Sequence, residues 1–124
     1  MIEMLADDAK VMLKGQVTMH DFTTFHAVIQ ERIREPGAQY YPDLWWEKEK
    51  EAILANLDTS ICFINEACTD EEFYFLSEIF DDIMKETKSA DFLECIRTRT
   101  DQVENIQWRN EIAEDIEFAA LYVE

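Results

Sequence analysis

The stretch TDEEFYFLSEIFDD, residues 69–82, holds six carboxylates and four aromatic rings in fourteen consecutive positions. Thr69 and Glu72 have the spacing of a capping box, in which two side chains satisfy backbone amides at a helix N-terminus. At about 100° per residue, the apolar positions that follow share one side of a helix running to about Thr87. These positions are Phe73, Leu76, Phe80, Ile83 and Met84. The stretch therefore predicts an amphipathic helix with a strongly acidic outer face.

The same helical spacing recurs before and after this stretch. Before it, we expect a short helix over residues 1–14 and a helix that begins after Thr18 and ends at Pro36-Gly37. A long helix is expected over about residues 44–67, with a break near Asp58-Thr59-Ser60 as the alternative. After it, Ser89 and Asn105 are typical N-caps of two further helices. The chain of 124 residues has only two Gly and two Pro and no strand pattern. The sequence therefore predicts an all-α, single-domain helical bundle of about five to six helices over residues 1–124.

The charge balance is strongly negative and uneven along the chain. There are 28 Asp and Glu against 11 Lys and Arg, which gives a formal charge of −17 at pH 7. Residues 1–65 hold 11 acids and 6 bases (−5), whereas residues 66–124 hold 17 acids and 5 bases (−12). Such a surface repels nucleic acid and anionic membranes and attracts basic proteins. We therefore expect a basic protein partner, no direct contact with nucleic acid and no membrane association.

The residues that usually carry chemistry are few and lack the required spacing. His20 and His26 have no Glu three residues before them, as a di-iron bundle needs, and the sequence contains no HExxH motif, calcium loop or glycine-rich phosphate loop. We therefore predict no catalytic residues, no metal site and no cofactor, and we expect that the protein is not an enzyme. A carboxylate-rich metal enzyme is the disfavoured alternative.

The cysteines and the absence of long apolar runs bear on location. Cys62, Cys68 and Cys95 have no CxxC spacing, and we find neither an N-terminal apolar signal run nor a stretch of roughly 20 apolar residues. This pattern is typical of a reduced, cytoplasmic protein. We expect a monomer.

Acids and rings share a face on two of the expected helices. On the helix of residues 69–87, a row of acids is flanked by Tyr74 and Phe75, and the last helix repeats the pattern. Two interpretations of Phe75 stay open: a neighbouring helix covers the ring, or the ring anchors a partner. If the two helices pack side by side, they form one acidic surface. The residues predicted to bind a partner there are Glu71, Tyr74, Phe75, Glu78, Asp81, Asp82, Glu111, Asp115 and Phe118.

Three stretches resemble helical immunity proteins. AKVMLKGQVTMHDFTTFHAVIQERI (residues 9–33) resembles the start of the colicin D type, where a short helix leads through a K-x-x-hydrophobic-T-x-x-x-F step into a second helix. LWWEKEKEAILANLD (residues 44–58) and SEIFDDIMKET (residues 77–87) are similar to immunity proteins of contact-dependent growth inhibition systems. The resemblance covers about the first two-thirds of the chain.

This resemblance implies a helical bundle that neutralises a cognate toxin. In the family, the acidic face occupies the basic groove of the toxin's C-terminal nuclease domain, often a tRNA-cleaving one. The nine residues named above would then be toxin-binding. The alternative is an acidic nucleic-acid mimic or adaptor that binds another basic partner, and it shares the same electrostatic features.

Overall fold

The computed structural model describes residues 21–123, and these residues form eight α-helices, one 3-10 helix and no strand. The α-helices are α1 (Thr23–Arg34), α2 (Pro36–Tyr40), α3 (Asp43–Ala55), α4 (Leu57–Glu66), α5 (Asp70–Leu76), α6 (Phe80–Thr87), α7 (Ala90–Thr100) and α8 (Ile106–Ala120). The 3-10 helix Ser77–Ile79 joins α5 to α6. The all-α prediction is confirmed, although the number of helices exceeds the five to six expected. The expected helix over residues 1–14 and the cap at Thr18 lie outside the described residues.

Short polar side chains account for two of the additional helix boundaries. Asn56 is extended and accepts a hydrogen bond from the backbone N of Thr59 at 3.0 Å, so the helix expected over residues 44–67 is divided into α3 and α4. Ser77 donates its hydroxyl hydrogen to the carbonyl of Tyr74 at 2.6 Å, where α5 gives way to the 3-10 helix. A third difference is at Pro36, where the sequence predicts only the end of a helix. A new short helix, α2, begins there, because proline is tolerated in the first turn of a helix.

The core is built around phenylalanine rings from four helices. Phe63, Phe73, Phe80 and Phe92 are fully buried, and the ring of Phe80 lies 5.4 Å from Phe73 and 6.2 Å from Phe92. Burying such a ring contributes roughly 1.5–3 kcal/mol. The five apolar positions predicted for residues 69–87 are all buried. The exposed side chains between them are all acids: Glu78, Asp81 and Asp82.

A buried carboxylate ties α1 to the start of α5. Glu72, which is 1% exposed, closes the expected capping box with Thr69 and also bonds Nδ1 of His26 at 2.9 Å and Nε2 of Gln30 at 3.0 Å. Burial alone would raise the pKa of Glu72, but the hydrogen bonds from His26, Gln30 and Thr69 outweigh it and hold the pKa below its usual value. His26 is therefore a packed histidine that fixes α1 on α5.

The C-terminal end of α6 provides a test of local backbone strain. Lys88 has φ 49° and ψ 34°, a left-handed conformation that disfavours any residue with a Cβ. We expect Lys88→Gly to raise the free energy of unfolding by roughly 0.5–1 kcal/mol, because glycine adopts this conformation without steric cost. Urea denaturation measures the change. Lys85→Gly, inside α6, is the control and should lower the free energy of unfolding by about 1 kcal/mol. A lower free energy of unfolding in both variants would contradict the left-handed strain at Lys88.

Candidate binding cleft

The acidic faces of residues 69–87 and of the last helix do meet in the folded chain. Helix α8 packs against α6 and the 3-10 helix, and a cleft of about 280 Å³ opens between them. We call this surface the acidic cleft; its lining residues are Ser77, Glu78, Asp81, Asp115 and Phe118. The ring of Phe118 is 66% exposed at its edge. The cleft therefore combines three carboxyl groups with an aromatic surface that is open to solvent.

The cleft continues into a second depression lined by Tyr74, Phe75 and Glu111. The hydroxyl of Tyr74 donates to Glu111 at 2.5 Å, and its ring stacks on Trp108 with the centroids 4.9 Å apart. Hydrogen bonds from Tyr74 and then Gln107 lower the pKa of Glu111, so this carboxyl group stays ionised. The side chains of this depression are thus already fixed by one another.

Glu78, the central acid of the cleft, is held from beneath by a buried base. Nε and Nη2 of Arg32 donate to its two carboxylate oxygens at 3.0 and 2.6 Å, and Nε1 of Trp46 donates to one of them at 3.0 Å. Arg32 is only 7% exposed, and its guanidinium lies 5.2 Å from the centre of the Phe75 ring. Phe75 is half-buried, with Arg32 of α1 and Tyr74 against its ring.

Asp81 and Asp115 are the carboxyl groups of the cleft with no base beside them. Asp81 is exposed and makes no hydrogen bond or ion pair with any of residues 21–123. Partial burial raises the pKa of Asp115; the neighbouring Ser77 side chain opposes the rise, and the charges of Glu114, Glu111 and Glu78 add to it. The negative potential of the cleft is therefore concentrated near these two residues, where a cation would relieve repulsion.

The structure brings together seven of the nine residues predicted from the sequence and separates two. Glu71 is exposed on α5 and lines neither depression. Asp82 faces a different groove with Lys85 and Glu86, and its carboxylate lies 3.8 Å from Nζ of Lys50. Because α5 and α6 are not one continuous helix, the row expected on one regular face is split between two surfaces.

Sequence reasoning missed Glu49 beneath the cleft. Glu49 is 1% exposed, and neither of its carboxyl oxygens has a hydrogen-bond partner among residues 21–123. Burial, and then the charge of Glu78, raise its pKa to about 8 against the opposing effect of Arg32. The signal was a gap of seven residues in the apolar stripe between Trp46 and Ile53. Glu49 lies three residues after Trp46 and four before Ile53, so it occupies the same face of the helix.

The buried carboxyl group of Glu49 predicts a particular pH dependence of stability. Between the pKa of an unfolded Glu, about 4.3, and the folded value of about 8, only the folded chain keeps this proton. Stability is therefore highest below that window and falls as pH rises through it, by about 1.4 kcal/mol per pH unit from this group. Glu49→Gln removes the loss, so the variant should match the parent within about 1 kcal/mol at pH 5 and exceed it by roughly 3 kcal/mol at pH 8.

Urea denaturation of both proteins at several pH values measures this difference, and other titrating groups cancel in the comparison. Glu51→Gln, at an exposed position of the same helix, is the control and should leave the pH dependence unchanged. A Glu49→Gln effect that stays constant from pH 5 to pH 8 would show that Glu49 is ionised in the folded protein.

The described residues also bear on metal binding and on membrane insertion, and the whole chain was compared with known proteins. Among residues 21–123, no group of three or more His, Cys, Asp or Glu is arranged to hold a metal ion. No helix in that part of the chain is long and apolar enough to cross a membrane. Protein-family models, curated proteins and solved structures gave no match to the chain.

Proposed function

We propose that the protein is an immunity protein that binds and neutralises a cognate toxin nuclease, with the acidic cleft as its binding surface. The observation that carries the proposal is the cleft itself, where unpaired Asp81 and Asp115 lie beside the exposed ring of Phe118. The resemblance of residues 9–33, 44–58 and 77–87 to immunity proteins supports the same function. A tRNA-cleaving domain of a contact-dependent inhibition or colicin-like system is the partner that this resemblance favours.

The mechanism is electrostatic and steric. A nuclease concentrates Lys and Arg where the phosphates of its substrate lie. Asp81 and Asp115 would pair with such cations, while Phe118 provides apolar contact area next to the charges. The net charge of −17 steers a basic domain toward this face, which raises the association rate. The bound protein then excludes the RNA from the groove of the enzyme.

Charge reversal in the cleft tests the proposal directly. We expect Asp81→Lys with Asp115→Lys to slow association with the proposed toxin nuclease domain by about 10-fold or more, because steering and direct pairing are both lost. The readouts are the association rate at two salt concentrations and RNA cleavage by the nuclease with and without excess protein.

The matched control is Glu66→Lys with Glu94→Lys. These residues are exposed on α4 and α7, line neither part of the cleft, and change the net charge by the same amount. Equal slowing by both pairs would assign the effect to overall charge and not to the cleft. Full nuclease activity in the presence of excess unaltered protein would refute the proposed function.

The aromatic edge of the cleft predicts a different kinetic effect. Phe118→Ala removes a ring that is 66% exposed, so the free energy of unfolding should change little. We expect the dissociation rate of the complex to rise by roughly 10-fold, with the association rate unchanged. Leu121→Ala is the control, since Leu121 is equally exposed at 65% but does not line the cleft. Equal effects of both substitutions would remove Phe118 from the binding surface.

A further inference from the structure

Arg32 bonds the carboxylate of Glu78, and its charge also acts on a second carboxyl group, that of Glu49. It donates to Glu78 at the surface, while Glu49 is buried nearby without a partner among residues 21–123. We propose that Arg32 is a two-position switch: it holds Glu78 while Glu49 is protonated, and it turns to Glu49 when a cationic side chain of a partner takes Glu78. The inference rests on the proposed function for its partner, but its test uses this chain alone.

Arg32 and Glu49 lie on α1 and α3, two helices that pack against each other, and the charge of Arg32 acts on Glu49. Trp46 and Glu49 are three residues apart on α3 and so share one of its faces, and the indole of Trp46 bonds the same Glu78 that Arg32 holds. On α1, Arg32 lies three residues after Ile29, which lines the same narrow cavity as Glu49. The spacing therefore places Glu49 and Arg32 on the faces of α3 and α1 that are turned toward each other.

The rest of the environment of Glu49 is apolar. Its cavity is lined from α1 by Phe25, Val28 and Ile29, from α3 by Ala52 and Ile53, and from α5 by Leu76, and it is too narrow for a water molecule. The charged groups that act on Glu49 are Glu78 from the 3-10 helix and Arg32 from α1. The charged residues that α6 turns toward α3, Asp82, Lys85 and Glu86, surround Lys50 instead. Arg32 is thus the single base available to an ionised Glu49 among the described residues.

The two positions differ by one proton. With Arg32 on Glu78, Glu49 keeps its proton because an isolated carboxylate in an apolar cavity is strongly disfavoured. When Arg32 moves to Glu49, the carboxyl proton leaves to solvent, an ion pair replaces the neutral acid, and Glu78 is left with a full negative charge for the partner's cation. Binding at Glu78 and deprotonation of Glu49 therefore favour one another.

Glu78→Asp separates this switch from a fixed arrangement. Aspartate keeps the negative charge but is shorter by one methylene, so it loses the two contacts to Arg32. If Arg32 then turns to Glu49, the pKa of Glu49 should fall by at least one unit, and the Nε–H resonance of Arg32 should titrate with the Glu49 carboxyl carbon in NMR. Glu78→Gln, which also removes the repelling charge, should lower the pKa further.

Glu86→Gln is the control, because Glu86 lies in the neighbouring groove with Lys50. This substitution should leave the pKa of Glu49 unchanged. An unchanged pKa of Glu49 in Glu78→Asp, or an Arg32 resonance that does not follow it, would overturn the switch. Neither result bears on whether the cleft binds a nuclease, and failure of toxin binding would leave this titration unaffected.

Discussion

The pairing of the buried Arg32 with Glu78 is the interaction on which the geometry of the cleft depends. A guanidinium that is 7% exposed is strongly destabilising unless a carboxylate neutralises it. Glu78 meets that requirement from the 3-10 helix, and Trp46 of α3 bonds the same carboxylate. One ion pair therefore fixes α1, α3 and the 3-10 helix relative to one another, and it sets the floor against which α8 packs.

A second buried arginine, also paired with an acid, lies at the N-terminal end of α5. Arg99 is also 7% exposed, donates to the carbonyl of Cys68 at 2.8 Å and to Asp70 at 2.8 Å, and lies 5.4 Å from the centre of the Phe73 ring. Two of the nine bases in residues 21–123 are thus placed inside, each on a phenylalanine ring and an acid. Each of these bases is paired with one acid, so the strongly negative exterior follows from how few the bases are, 11 against 28 acids.

Regular helix patterns were predictable from the sequence, and so was a break near residues 58–60, which the structure places at Asn56; the other break and the buried charges were not. The capping box of Thr69 and Glu72 and the caps at Ser89 and Asn105 are local features, so they were read correctly. The break at Asn56 and the 3-10 helix at Ser77–Ile79 depend on single polar side chains that compete with the helix, and the apolar stripe continues through both. Pairs such as Arg32 with Glu78 are 46 residues apart in the chain, so no local pattern indicates them.

Rigidity in the cleft is uneven, and this has a consequence for recognition. Tyr74 and Glu111 are already held by hydrogen bonds within the fold, so a partner would not have to order them. Asp81 and Phe118 remain exposed and lose side-chain freedom only on binding. One part of the binding surface is therefore preorganised, and a few side chains at its edge are free to adjust to a partner. Complementary charge can then bring the two surfaces together before the adjustable side chains settle into specific contacts, which is the order that fast capture of a toxin requires.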